Sequence, residues 1–546
     1  MGAQKSKNLE LGKLQKTIYS NLKSKAESLE GTVSKELISY RKDQELYEKK
    51  PFSPCKFETL LKSINHSHII YLGDFHTFDQ SSRNLQRLIK VLAKNNSGYV
   101  LGVEFIHQKN QQMIDSFLAG QLTELEFLES IQYRESWRFP WTYYRQFFEL
   151  AKKYKIKIYG LNTDGNLKKR DRFAAKILAK IHKKAPDKKI LVLFGEYHIL
   201  PDKLPNDTLV ELNGNVHQTI IHQNLDSVYW NIANTKGGTD RLVKFSNNEF
   251  ALQTSPPWIK YESMIYWFEH LGEDPEFDIH EFIMETGVFT FNSNAMDNFV
   301  FIADQLNSTL KLELSSSDIE DFNLYDHERL EFVQKKVQGL DSKTLQSFYL
   351  KLLTRNRSFR IPGTKNYYCP SYSINRLAYL AGVHLYLQLL HKQQKSEDDC
   401  LIGTRQYTKF IFFCYQSFMG YFSSKIINPY RKCDRYQDFL KCLRNKKTSA
   451  YDKKILRLCL RVIDSKTKTT DIFNGVNILD TFLVARKIGY LMADDFFEEI
   501  FHRDHQKTQI VLDTLFSFKF CPEEFEKLIH VILPRTSYRK AKKTLF

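Results

Sequence analysis

The sequence predicts an α/β protein in which a parallel sheet carries helices on both faces and a largely α-helical C-terminal region follows. Three observations carry this. Between about 55 and 230, short apolar runs alternate with helix-periodic stretches, the pattern of strands buried on both faces. Two of those runs end alike: Ile69-Ile70-Tyr71-Leu72 leads into Gly73-Asp74-Phe75-His76, and Leu191-Val192-Leu193-Phe194 into Gly195-Glu196-Tyr197-His198. Beyond 320, apolar residues recur at helical spacing.

Taken in order, residues 1–54 read as a helical leader, with Leu11, Leu14, Ile18 and Leu22 spaced for one face and Pro51 and Pro54 closing it. The α/β domain spans 55–230. Its predicted strands are 68–72, 99–104, 156–161, 189–194 and 218–222. Helices are predicted near 80–95, 108–133 and 171–184. An aromatic segment from Trp137 through Trp141 and Tyr144 runs into a helix that ends near 154. Residues 231–319 form a mixed connecting region. Gly237-Gly238 and Ser255-Pro256-Pro257-Trp258 punctuate it, with a helix at 260–271 and strands near 287–291 and 310–314. Residues 320–546 form an α-helical domain with helices at 343–354, 374–392, 406–427, 476–502, 507–517 and 523–533, and a basic tail at 539–543. No fixed-period repeat is present.

The chain of 546 residues is 42% hydrophobic and 14% aromatic, a composition for a globular protein with ample core. Eighty Lys and Arg against 63 Asp and Glu leave a formal charge of +17. No basic stripe with interleaved aromatics accompanies it, so nucleic acid is not an expected partner. The eight cysteines form no CxxC pair, which excludes a zinc framework or a disulfide scaffold. Phe410–Ile427 is apolar but broken by Gln416, three serines and Lys425; it reads as a buried helix and no transmembrane segment is expected. With no signal-peptide pattern, the expected location is cytoplasmic. Met1-Gly2-Ala3-Gln4-Lys5-Ser6 loosely fits an N-myristoylation pattern at Gly2.

In near-extended backbone, residues i and i+2 point the same way, so Asp74 and His76 project together, as do Glu196 and His198. Parallel sheets bind ligands outside their strand carboxyl ends. If strands 68–72, 99–104 and 189–194 are neighbours, Asp74, His76, Glu104, Glu196 and His198 line one rim. That set admits three chemistries: a divalent metal held by His76, Glu104 and His198; acid–base work on water by a carboxylate-held His; or haem ligation by a His or by Tyr197, with aromatic walls. Glu104 needs a partner, and Arg134, Arg138, Arg145 or a His is expected to supply it. Trp137 and Trp141, four apart, share one face if that segment is helical, and serve as core or as a platform for a flat ligand. Arg170 or Arg172 reads as a carboxylate or anion clamp and Asp171 as an N-terminal helix charge. Lys425 to Lys432 form a basic helix end that suits a phosphate or a partner.

The order of these motifs resembles the ChaN-like family, the haem-binding-uptake branch of the superfamily that includes Tiki/TraB proteins and erythromycin esterases. The resemblance rests on Gly73-x-x-His76, Val103-Glu104-Phe105, Trp137/Trp141/Tyr144, Gly160-Leu161-Asn162, Arg170-Asp171 and Gly195-x-x-His198, over about 60–225. The family usually has Glu where this chain has Asp74. The resemblance implies an iron-linked protein binding haem or a similar ligand at the strand ends. Hydrolytic relatives imply an ester or peptide hydrolase with His76 as base and Glu104 and His198 positioning water or metal. A non-catalytic protein that engages a partner through 320–546 is the third expectation.

Overall fold

The computed structural model describes residues 2–31, 33–93, 98–233, 241–269, 291–464 and 469–533. The chain divides into two compact units. One is Tyr19–Phe277 with the last three residues. The other is Asp278–Lys543 together with Met1–Ile18.

The first unit is built on an eight-stranded sheet. Its strands are β1 (Ser53–Pro54), β2 (Ile69–Asp74), β3 (Tyr99–His107), β4 (Lys157–Asn162), β5 (Lys189–Gly195), β6 (Gln218–Gln223), β7 (Leu242–Lys244) and β8 (Glu249–Leu252). They lie in the order β1-β7-β8-β6-β2-β5-β3-β4. The pairs from β8 to β4 are parallel, and β7 runs antiparallel to both β8 and β1. The three two- to four-residue strands β1, β7 and β8 are absent from the sequence expectation because runs so short carry no period.

Strand alternation sorts the core into two layers. Ile70 and Leu72 of β2 pack with Leu85, Leu88, Leu101, Phe147 and Phe148 on one face. Ile69 and Tyr71 pack with Ala174, Leu178, Val192 and Phe194 on the other. Both faces are therefore covered, as the apolar strands require.

β5 lies between β2 and β3, which puts the three expected site strands side by side. Asp74 pairs with Gly195, and Val103 with Leu193. The carboxyl ends of all three strands thus open on one rim.

One helical expectation in this unit holds and one changes. The helices expected near 108–133 are Gln111–Leu118 and Glu124–Ser130, parted by Gly120 at φ +76° and restarted by a Thr123–Glu126 capping box. The aromatic segment is not one helix: Arg138 adopts φ 66° and Pro140 follows, so only Trp141–Tyr143 forms a 3₁₀ turn before the helix Arg145–Tyr154.

The second unit is helical. Gln406–Ile427 is its central helix, packed against Ile374–Lys392 and Ile478–Asp495. A small sheet of Asn323–Tyr325, Phe359–Arg360 and Asn366–Tyr368 accompanies them. Lys425 is buried between Asp494 and Glu498, both at 2.9 Å. Among the described residues no helix is long and apolar enough to cross a membrane. The strand expected at 310–314 is instead the end of the helix Phe291–Leu310 and a turn. Asn307 closes it through both its amide groups on Leu314, and Lys311 and Glu313 take positive φ. The strand expected near 287–291 falls on 270–290, outside the described residues, except for Phe291, which opens that helix. Gly237-Gly238 and the tail 539–543 also lie outside them.

Candidate functional site

The rim side chains form one connected row. Tyr144 Oη donates to Asp74 Oδ2 at 3.0 Å, and the same oxygen lies 3.0 Å from His76 Nδ1. His76 Nε2 faces Glu104 Oε2 at 3.8 Å. From the other side His198 Nε2 faces Glu104 Oε1 at 3.9 Å. His198 Nδ1 meets Asp171 Oδ1 at 2.5 Å, and Tyr40 Oη donates to Asp171 Oδ2 at 2.8 Å. The row is Tyr–Asp–His–Glu–His–Asp–Tyr, with Glu104 at its centre. Each Asp orients its imidazole so that Nε2 is turned to the centre.

Glycine makes the convergence geometrically feasible. A Cβ on Gly195 would sit 3.1 Å from His198 Cδ2, 3.3 Å from Glu104 Oε2 and 3.4 Å from His76 Nε2. The backbone itself occupies the centre of the triad, and Gly195 N donates to Glu104 Oε2 at 2.6 Å.

Arg170 completes the charge balance. Its Nη2 bonds Glu104 Oε1, and its Nε donates to Asn162 Oδ1 at 2.9 Å. Of the two arginines that the sequence offered, Arg170 is the one placed on Glu104. The candidates Arg134, Arg138 and Arg145 do not serve Glu104; Arg145 pairs with Glu124 at 2.7 Å instead. Asp171 is spent on His198 and Tyr40, so its role is not that of a free charge at the start of its helix.

Burial by itself raises the Glu104 pKa, but the charges of Arg170, His76 and His198 and the Gly195 N–H outweigh it and hold the carboxyl below its usual range. For His76, burial works downward; the Asp74 hydrogen bond and the charges of Glu104 and Asp74 outweigh it and leave the imidazole raised. The signs fix a pH window. Glu104 contributes stability above its unfolded value, near 4.5, and loses it as pH falls through the depressed folded value. His76 contributes below its unfolded value, near 6.5, and loses it as pH rises through the elevated folded value. Urea unfolding of the α/β unit is therefore expected to show greatest site-derived stability between those two values. Glu104→Gln should remove the acid-side loss and His76→Ala the alkaline-side loss; unchanged profiles in both variants would refute the assignment.

The second acid of the repeated pattern departs from expectation. Glu196 does not face Glu104. It meets His222 Nδ1 at 2.6 Å and accepts from Gln223 N at 3.1 Å. After β5 the backbone enters a 3₁₀ turn, Glu196–Ile199, where residues two apart no longer share a side. Tyr197 turns to Arg41, whose guanidinium lies 6.0 Å from its ring. Trp137 does reach the site, with its ring 4.6 Å from that of His76, and Phe139 lies at 4.9 Å. Trp141 does not; it packs against Phe105, Phe127, Tyr133 and Phe148.

The expected metal set of His76, Glu104 and His198 is corrected too. Among the described residues no three His, Cys, Asp or Glu side chains are arranged to hold a metal ion. The physical reason is that Arg170 and Gly195 N–H already take both Glu104 oxygens, while both imidazoles stand back at 3.8 and 3.9 Å.

Sequence reasoning missed Tyr40 and the role of Asp171 and His222. Tyr40 lies in the leader helix Lys35–Tyr47, far from the motifs. That helix also brings Glu36 onto the first N–H groups of the helix Leu167–Lys184, and the Tyr47 ring to 4.7 Å from His222. No local signal marks such a partner.

Residues 60–170 match the family model described as haem-binding uptake, Tiki superfamily, ChaN. This segment is ChaN-like. It carries Asp74, His76, Glu104, Trp137, Tyr144 and Arg170, and stops short of Asp171 and His198, so half of the Tyr–Asp–His row lies beyond the ChaN-like segment. No curated protein matches the chain. Among solved structures the chain is similar to one described as cofacial heme binding to ChaN of Campylobacter jejuni, with 15% identity over 37% of this chain and 96% of that chain and a TM-score of 0.25.

Proposed function

We propose that the α/β unit binds haem, or a similarly flat and largely apolar ligand, at the His76 end of the rim. One observation carries the reading. Of the two central imidazoles, His76 is the partly open one, its side chain 24% exposed against 7% for His198. Asp74 engages its Nδ1, which leaves Nε2 as the ligating nitrogen. Trp137 and Phe139 wall its ring, and Trp267 stacks on Phe139 at 4.8 Å. A haem site requires an axial donor and flat apolar walls, and these residues fit both demands. His76 would hold the iron, and Trp137, Phe139 and Trp267 would face the porphyrin. A bound haem supplies a redox-active iron; the protein's part is to hold it and, through the Asp74 bond to Nδ1, to leave the lone pair of the neutral imidazole on Nε2. The family described for residues 60–170 supports the same ligand class.

Hemin titration of the purified protein tests the reading. A saturable Soret shift is expected, weakened about tenfold or more by His76→Ala, and less by His198→Ala because that ring is buried. No shift with the wild-type protein would overturn it. A second reading rests on the two imidazoles, whose Nε2 atoms both face Glu104 at 3.8 and 3.9 Å, the arrangement of a carboxylate-held base pair. In that reading His76 is the general base of a hydrolase and the ionised Glu104 orients the imidazoles. The titration then gives no Soret shift, and turnover of an ester or peptide panel disappears in a folded Glu104→Gln variant.

A further inference from the structure

A cluster of guanidinium groups in the helical unit plays no part in the rim. Arg486 Nε donates to Tyr490 Oη at 2.9 Å, and its guanidinium sits 5.0 Å from that ring. Arg431 lies over the adjoining rings, 4.8 Å from Tyr421 and 5.9 Å from Tyr490. Arg431 Nη1 also donates to Asn375 O at 3.3 Å. The next residue, Arg376, donates to Ser371 Oγ at 2.6 Å. Arg357 lies in the field of the same group: with partial burial, the charges of Arg486, Arg355 and Arg376 push its guanidinium down against the opposing pull of Tyr490.

Several other cations of this unit are matched by acids. Lys425 has Asp494 and Glu498, and Arg435 has Asp494 and Asp495. Arg360 has Glu397, Lys454 has Asp480 and Lys487 has Asp434. Arg357, Arg376, Arg431 and Arg486 form no such pair among the described residues. Gathering like charges without a counter-charge costs energy. Planar guanidinium forks beside a tyrosine hydroxyl suit the oxygens of a phosphate. The sequence pointed to this end of the helix Gln406–Ile427 through its basic run. The structure divides that run: Lys425 is consumed by acids and Arg431 is turned to the cluster.

We propose that Arg357, Arg376, Arg431 and Arg486, with the Tyr490 hydroxyl, form a binding site for a phosphate-bearing small molecule. Calorimetric titration of the full chain with inorganic pyrophosphate, in low-salt buffer without phosphate, tests it. Saturable binding is expected, and added salt should weaken it. The double variant Arg357→Gln/Arg376→Gln changes one exposed and one half-buried residue and should bind about tenfold more weakly or worse. Thermal unfolding separates this from a merely structural role. Without pyrophosphate, the double variant should unfold at the wild-type temperature or above, because repulsion is relieved. With pyrophosphate, the wild type alone should gain. A merely structural role for Arg357 and Arg376 predicts the reverse: a less stable variant and no binding. Phosphatidylcholine vesicles with and without phosphatidic acid identify the source of the phosphate. Retention on the acidic vesicles without pyrophosphate binding would overturn the small-molecule assignment in favour of a headgroup. No saturable heat from the wild type, or equal affinity in the variant, would overturn the site.

Discussion

Replacing Glu104 by Ala is expected to cost about 3–5 kcal/mol of stability in the α/β unit, because it strands a cation and two imidazoles in a water-poor rim. The Glu104 side chain is 3% exposed and bonds both Arg170 and Gly195 N. Its removal leaves the guanidinium held by Asn162 alone. Arg170→Ala should destabilise through the complementary fault, a buried carboxylate without its main counter-charge. The double variant should lose at least about 0.5 kcal/mol less than the sum of the singles, since the two residues share one interaction. Glu104→Gln should be milder, because an amide oxygen still accepts from Arg170. Urea unfolding followed by tryptophan fluorescence checks this cleanly: all five tryptophans, 137, 141, 230, 258 and 267, lie in Tyr19–Phe277. Additive losses in the cycle would show that the pair is not the centre of the site.

Gly73→Ala is expected to cost about 2–6 kcal/mol, from overpacking together with a buried polar group left unpaired. A Cβ at this position would fall inside the Glu196 carboxylate. That carboxylate cannot yield freely, because His222 Nδ1 and Gln223 N hold it. His222 is fully buried, and its Nε2 already has no partner among the described residues. If Glu196 moves, the imidazole loses the bond it has. The control is Glu196→Ala. That change is itself destabilising, but in its background Gly73→Ala should add less than about 1 kcal/mol, because the obstructing atoms are gone. A full penalty in both backgrounds would place the strain elsewhere. This pair also separates the two strand–Gly–acid–x–His units: in the first the acid serves the rim, and in the second it locks β2, β5 and β6 together beneath it.

Much of this architecture is local in origin. Apolar runs of strand length fix β2 to β6 within a few residues, and helical periodicity locates the helices 374–392 and 406–427. The leader's Leu14, Ile18 and Leu22 are buried as their spacing requires. His76 beside Asp74 is legible too, because the two are neighbours in the chain. The aromatic segment was harder. Trp137 and Trp141 share a face only in a helix, and Arg138 and Pro140 break that helix, sending one ring to His76 and the other into the core.

By itself, then, the sequence determined which residue types end the strands, and that a carboxylate between two imidazoles was available. The tertiary structure alone decided which partners those groups take. Inserting β5 between β2 and β3 brings His76 and His198 to opposite sides of Glu104, and a 3₁₀ turn rather than extended chain rotates Glu196 away from them. Arg170, Asp171 and Tyr40 arrive from two helices whose docking no local pattern encodes. The reason is physical: backbone periodicity is set by neighbours a few residues apart, whereas the pairing of buried charges is set by strand order and helix docking, over separations at which the chain carries no local memory.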